Sequence, residues 1–373
     1  MKYVFGFILL FHGIIHLIGF VKAFRLAEID QLTQSISKPI GVLWLVVSIL
    51  FIISALLFLF KKEWWFLFAI VSVVLSQILI MMYWTDAKFG TVVNLIILLV
   101  GISAFGNHQF NYMVQKESSE LLKNIKVEES HIISEKDIFQ LPEIVQKWMR
   151  NSGVIGKERI VSVRLKQEGE MKTKPENKWM PFRAEQYFDV DNSAFVWATE
   201  VDFLPMVKMS GRDKFTRGKG EMLIKLAALI PVVDEGNNEK INTAAMIRYM
   251  AEMVWFPSAA LNADIKWKPI GVNSVQATLT CYGKMVSGIF KFSDNGEMQS
   301  FEAKRYYGAG KDATLETWLV KAETYKEFNF NGFKIPNKCS VTWKLKEGDF
   351  NWLNLEITDL EYNTNELYAY NNL

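Results

Sequence analysis

The sequence predicts a four-helix transmembrane bundle followed by an α+β domain, in which a large curved antiparallel sheet carries a short inserted helix. Three observations lead there: four charge-free apolar stretches near the N-terminus, a change to two-residue periodicity from Glu158 onward, and one helical interruption among the strands. Of 42 Lys and Arg and 40 Asp and Glu in 373 residues, residues 1–115 hold only seven and four. The rest of the chain is nearly neutral and lacks the basic stripe that nucleic acid binding requires. Two Cys in the whole chain exclude a disulfide scaffold or a Cys-rich zinc fold. The composition divides the chain into a spanning domain (1–112), a charged connector (113–140) and a soluble β-rich domain (141–373).

Val4–Val21, Ile40–Phe60, Trp64–Thr85 and Phe89–Gln109 contain no Asp, Glu, Lys or Arg. Each is close to the roughly 20 residues that a helix needs to cross the hydrocarbon core. Trp64, Trp65, Tyr83 and Trp84 stand at segment ends, where interfacial aromatics belong. Lys2 before the first segment suggests a signal peptide, but no small-residue cleavage site follows, so a retained anchor is expected. Four spans put both termini on one side. Lys2, Lys61, Lys62, Lys116, Lys123 and Lys126 outnumber Lys22, Arg25, Lys38 and Lys88, which favours cytoplasmic termini and a cytoplasmic soluble domain in a multi-pass cell-membrane protein.

Polar residues inside spans are costly unless partnered. His12 and His16 share a face of the first helix, and Gln77 and Asn94 lie on the third and fourth. Helical rise places His16, Gln77 and Asn94 at similar depths from one membrane face. This intramembrane cluster reads either as interhelical hydrogen bonding that locks the bundle or as a site for a small molecule, a proton or a quinone. His108, near the opposite face, is badly placed to clamp a haem with His12.

In the soluble part, Leu141–Gly153 reads as a short helix, with Pro142 in its first turn and Val145, Trp148 and Met149 on one stripe. Val161, Val163, Leu165 and Gln167 then alternate with polar residues. Further strands are expected at 182–190, 195–201, 222–232, 274–282, 284–292, 297–306, 317–328, 337–345 and 353–362. Asn295-Gly296 signals a hairpin whose two turn residues both take positive φ. The inserted helix is expected over Thr243–Val254, capped by Asn242 and stopped by Pro257, with Ala245, Met246, Met250 and Met253 toward a sheet.

All four His lie at positions 12, 16, 108 and 131, so the folded part from Leu141 has none. That removes Ser-His-Asp, Cys-His and His-metal chemistry there. Cys281 and Cys339 are isolated, and Gly218-Lys219-Gly220 lacks the context of a phosphate cradle, so it reads as a strand-edge turn. No catalytic residue, cofactor or metal is indicated. Gln167, Gln186, Arg248 and Glu252 form either a structural ion pair with strand-edge hydrogen bonds or the polar end of an apolar cavity. In the second case Trp197, Trp255 and Trp267 are its walls. Gln167, Gln186, Trp197, Arg248, Glu252 and Trp255 are accordingly the candidate ligand-binding residues, with Gln167, Gln186 and Arg248 expected near a polar mouth.

Gln167-Glu-Gly-Glu-Met171, Trp179-Met-Pro-Phe-Arg-Ala-Glu-Gln186, Phe195-Val-Trp197, and Arg248-Tyr-Met-Ala-Glu-Met-Val-Trp-Phe-Pro257 together resemble an uncharacterised bacterial family of unknown function. Asp213 with Gly218-Lys-Gly220, and Ile335-Pro336, also fit it. The resemblance spans about Leu141 to Tyr362 and implies a bacterial protein without implying an activity. The order of strands and inserted helix also resembles lipoprotein-carrier half-barrels, an analogy of topology alone. The expectation is a membrane-anchored binding protein, with membrane lipids and an apolar small molecule as partners and no nucleic acid. The alternatives are an integral-membrane enzyme or transporter using the intramembrane cluster, and a protein-interaction scaffold.

Overall fold

The computed structural model describes residues 2–30, 32–123, 125, 131–204, 207–236, 238–308, 313–328 and 332–369. It divides into two compact units, Met1–Asn111 and Tyr112–Leu373. In the first lie α1 (Lys2–Ala23), α2 (Lys38–Leu59), α3 (Trp65–Met82), the single turn α4 (Trp84–Ala87) and the start of α5 (Gly90–Leu122). Four of these helices, all but α4, are long and apolar enough to cross a membrane. Phe7, Ile49, Val71 and Leu99 are exposed, while His12, His16, Ser76 and Asn94 are buried. Apolar outside and polar inside is the distribution that lipid as solvent favours. Helices α1 and α2 approach closely at Gly19, where a Cβ would lie 2.2 Å from the Trp44 ring.

The fourth apolar segment, expected to end at Gln109, continues as helix to Leu122. Phe110, Val114, Ser118 and Leu122 recur every four residues and are all buried, so one helical stripe persists beneath the charged residues around it. The second unit adds α6 (Glu135–Ile138) and α7 (Glu143–Asn151), then β1 (Ser162–Met171), β2 (Met180–Asp189), β3 (Ala194–Leu204), β4 (Val207–Thr216), β5 (Lys219–Leu226) and β6 (Ile230–Gly236). Helix α8 (Glu239–Glu252) and two 3₁₀ turns follow. The chain ends in β7 (Ile265–Pro269), β8 (Ser274–Cys281), β9 (Lys284–Phe292), β10 (Met298–Tyr307), β11 (Thr314–Phe328), β12 (Phe333–Leu345) and β13 (Gly348–Tyr362).

All thirteen strands form one open antiparallel sheet in the order 6-5-4-3-2-1-13-12-11-10-9-8-7. Strands β1 and β13 meet at its centre, and β6 and β7 are its edges. Helix α8 packs against both β5 and β9. Nine strand spacings separate those two, about 43 Å in a flat sheet, against a helix about 10–12 Å across. The sheet therefore curls around the helix. The hairpin tips agree, because a Cβ on Gly218 between β4 and β5 would lie 2.5 Å from the Cβ of Tyr282 between β8 and β9. The core between helix and sheet is aromatic, with Phe188, Phe195, Phe215, Tyr249, Phe290 and Phe301 all fully buried.

Several expected elements shift. Strand β4 was not anticipated, because Lys208, Arg212 and Lys214 on one face mask the alternation of Met209, Gly211, Asp213 and Phe215 on the other. Strand β7 is only five residues long and gives little period to read. The expected strand 222–232 is two strands, β5 and β6, separated by a reversal in which Ala227 and Ala228 take φ of 51° and 57°. At Asn295-Gly296 only Gly296 has positive φ. A longer loop forms there, closed by the Ser293 N–H to the Glu297 carbonyl (2.8 Å), and its tip is held to α7 through the Asn151 amide (2.8 Å). Two-residue turns with both φ positive occur instead at Arg217-Gly218, one residue before the expected strand-edge turn Gly218-Lys219-Gly220, and at Tyr282-Gly283.

Helix α8 begins a turn earlier than expected, capped by Asn238, whose side chain accepts from the Ile241 N–H (3.0 Å). Asn242 is not the cap. Its buried Oδ1 accepts from the Gly220 N–H (2.7 Å) and ties the helix to β5. Asn242→Ala should cost about 1–3 kcal/mol by leaving a buried N–H unpaired. The exposed cap change Asn238→Ala should cost about 1 kcal/mol. Urea unfolding of the full-length chain, followed by tryptophan emission, measures both.

Candidate functional site

Positions 241, 244, 248, 251, 252 and 255 fall on one face of the α8 segment and its 3₁₀ extension. Met246, Tyr249, Met250 and Met253 face the aromatic core from the other side. The first face does not meet the sheet directly. Between it and the concave surface lies a cavity of about 850 Å³. Its walls are largely apolar, with Met209, Met222, Ile224, Val320, Val341 and Leu353 among them. Lys172, Thr173 and Glu239 also line it and are at least partly solvent-exposed.

One wall carries a buried polar chain. Trp197 Nε1 donates to Gln167 Oε1 (2.8 Å), and Gln167 Nε2 donates to Gln186 Oε1 (3.3 Å). Gln186 Nε2 donates to Glu252 Oε2 (2.7 Å), whose other oxygen accepts from Arg248 Nε (2.8 Å). Arg248 Nη1 donates to Asp213 Oδ2 (2.7 Å). The chain returns to its start, because the Arg248 guanidinium lies over the Trp197 ring, 4.5 Å from its centroid. Burial pushes the Glu252 carboxyl above its ordinary range, while Glu252 and Asp213 together hold Arg248 firmly charged despite its burial.

Of the residues singled out from the sequence, Gln167, Trp197, Arg248, Glu252 and Trp255 line this cavity. Gln186 stands behind them and braces Glu252. Gln167 and Gln186 are only 2% and 0% exposed, so they are not at a mouth; the polar chain is inside the fold. Trp267 is not among the walls. It packs against Trp148 and Phe290 in the aromatic core and donates to the Ala260 carbonyl (3.0 Å). Trp255 has its indole N–H on the Pro336 carbonyl (3.1 Å). Sequence reasoning missed Arg305. The signal was present, since Phe301, Ala303 and Arg305 alternate on β10 and put an arginine where an apolar residue is due.

In the first unit the intramembrane residues do meet. His12 Nε2 pairs with Asn94 Oδ1 (3.0 Å) and His16 Nε2 with Ser76 Oγ (2.9 Å). Asn94 Nδ2 donates to Ser76 Oγ (3.0 Å) and to Gln77 Oε1 (3.1 Å), and Gln77 donates to Thr91 (3.1 Å). The remaining ring nitrogen of His16 bonds the His12 carbonyl (2.8 Å).

Glu252→Ala should destabilise by about 3–5 kcal/mol, since it removes one partner of a buried pair and a bond to Gln186. Glu252→Gln keeps an acceptor there and behaves differently with pH. A carboxyl whose folded value is raised contributes stability below its unfolded value near 4.5 and loses it as pH rises through the folded value. Glu252→Gln should therefore match the wild type at pH 4 and gain on it toward pH 7. Melting temperatures across that range test the sign.

A comparison with curated proteins gives no match. Among solved structures, the chain is similar to a domain from Vibrio parahaemolyticus described as an outer membrane lipoprotein-sorting protein domain. The identity is 12%, the match covers 61% of this chain and 93% of that one, and the TM-score is 0.32. It is also similar to a DUF1329 family protein from Desulfovibrio piger, at 11% identity, covering 59% and 91%, with a TM-score of 0.29. Both likenesses are remote. A family model matches residues 139–362, more than half the chain and all thirteen strands, and on that match the chain belongs to the family of unknown function DUF6920.

Proposed function

We propose that this chain is a membrane-anchored binding protein whose extramembrane unit takes an apolar, chain-bearing molecule such as a lipid. One observation carries this reading: the cavity of about 850 Å³ between α8 and the concave face, apolar over most of its wall with a few placed polar groups. Its size is near the top of the roughly 300–1,000 Å³ usual for small-molecule sites, and the mix of apolar lining with a few placed polar groups is characteristic of them. The four apolar helices are the anchor. The intramembrane cluster is assigned to holding the bundle together, because its polar atoms bond one another across α1, α3 and α5.

Native mass spectrometry of the full-length chain, released from detergent, tests the reading. The wild type should retain a lipid-sized mass. Ala244→Phe and Val341→Phe, which push a ring into the cavity from opposite walls, should lose it without a fall in melting temperature. A wild type that carries nothing and takes up no added fatty acid overturns the proposal.

The charge count supports cytoplasmic termini and a cytoplasmic binding unit. Cys281 and Cys339 are buried, so labelling of introduced cysteines has a low background. Ser35→Cys, between α1 and α2, should react with an impermeant maleimide on intact cells. Asn177→Cys, exposed between β1 and β2, should react only after permeabilisation. The opposite pattern reverses the orientation.

A further inference from the structure

Among the described residues of the second unit, four arginines have side chains largely withdrawn from water, and three of them stand opposite carboxylates, Arg164 opposite Glu361. Arg248 is clasped by Asp213 and Glu252. Arg212 faces Glu117 and Glu221. Arg305 is 9% exposed and lines the cavity, yet among the described residues it makes no ion pair, and its Nε has no hydrogen-bond acceptor. What surrounds it is aromatic. Its guanidinium carbon lies 4.9 Å from the Trp318 ring centroid and 5.8 Å from that of Trp343. The indole N–H groups of Trp318 and Trp352, two further cavity residues, are also buried without an acceptor.

A guanidinium withdrawn from water without an anion is unfavourable, and proteins rarely keep one unless something answers it. Burial lowers the Arg305 value to about 10, so the group still carries its charge at neutral pH. Asp213 and Glu252 favour that charge and Arg248 opposes it, and both carboxylates are already bonded to Arg248. The tryptophans position the cation through their ring faces without neutralising it. A planar fork of donors, in a cavity that two unpartnered indole N–H groups also line, matches the oxygens of a carboxylate or phosphate. The apolar walls would then take hydrocarbon.

We propose that Arg305 is the head-group subsite of the cavity and that the ligand is an anionic amphiphile with a carboxylate or phosphate head. The inference rests on the binding reading above and deepens it. A neutral head can accept hydrogen bonds from the guanidinium but leaves its charge uncompensated, so the cavity discriminates by head-group charge as well as by chain.

The test uses the full-length chain in dodecyl maltoside, which carries neither carboxylate nor phosphate, with three photoreactive probes: a long-chain fatty acid, the matching alcohol and a phosphatidic acid. Cross-links to cavity peptides are mapped by mass spectrometry. In the wild type at least one acidic probe should label the cavity about tenfold more than the alcohol, the loss of one charge-assisted contact being of that order. Which acidic probe does so tells carboxylate from phosphate. Arg305→Met should abolish the preference while alcohol labelling and melting temperature hold. Arg305→Lys, which keeps the charge and loses the fork, should fall between them and serves if the methionine variant does not fold. Lys304→Met, on the opposite face of β10, should change nothing. Equal labelling by acid and alcohol in the wild type, or an acid preference that survives in Arg305→Met, overturns the inference while leaving an apolar-ligand site standing. Absence of cavity labelling by all three probes overturns the binding reading itself.

Discussion

The extramembrane unit is organised by a connection that must cross from one edge of a thirteen-stranded sheet to the other. Strands β1 to β6 build outward from the centre in one direction, and β7 to β13 return to the centre from the opposite edge. The residues between β6 and β7 have to bridge those edges, and α8 does so across the concave face. A sheet that curls far enough for one helix to touch both β5 and β9 encloses more space than that helix can fill. The cavity is a consequence of that mismatch. Tyr249, Met246 and Met250 fill one side of α8, and the opposite side is left facing an open volume.

The polar chain on that open side depends on the same geometry. Arg248 and Glu252 are one helical turn apart, so they would pair on any helix surface. Enclosure turns an ordinary surface pair into a buried one. Once water is gone, each remaining donor and acceptor needs a protein partner, and Asp213 from β4, Gln186 from β2 and Gln167 from β1 supply them. With Trp197 of β3 bonded to Gln167, four neighbouring strands and a helix are thereby tied together by one connected set of bonds. Arg305 enters the cavity from β10, at the far side of the sheet, and lies outside that set.

The membrane unit solves the same problem in a different solvent. Lipid gives no hydrogen bonds, so the polar side chains of α1, α3 and α5 turn inward and bond one another, while the large apolar side chains remain outside. The bonded clusters of both units follow one rule, that buried polar groups be partnered. Arg305 is a cavity residue that departs from it, with neither an ion pair nor an acceptor for its Nε among the described residues.

Much of this architecture is legible in the chain itself, because it is written in local periodicity. Four charge-free stretches of spanning length, the alternation in β1, β8 and β9, and the stripe of α7 each depend only on residues near one another. Helix α5 past Gln109 and strand β4 were harder to read, since charged residues on one face hid the buried face behind them. The start of α8 was misplaced because Asn238 and Asn242 are equally good caps by sequence, and only the approach of β5 gives Asn242 another partner. Sequence alone also marked Gln167, Trp197, Arg248 and Glu252 as residues to watch, since polar groups among strand and helix positions are conspicuous. What it could not decide is which of them share a space. Asp213, Arg248, Glu252, Gln186 and Arg305 come from four elements, β4, α8, β2 and β10, spread over more than a hundred residues, and their placement around one cavity depends on how tightly the sheet curls. That curl is a property of the whole sheet and its crossing helix, so the pairing of Arg248 and the isolation of Arg305 are decided only in the tertiary structure.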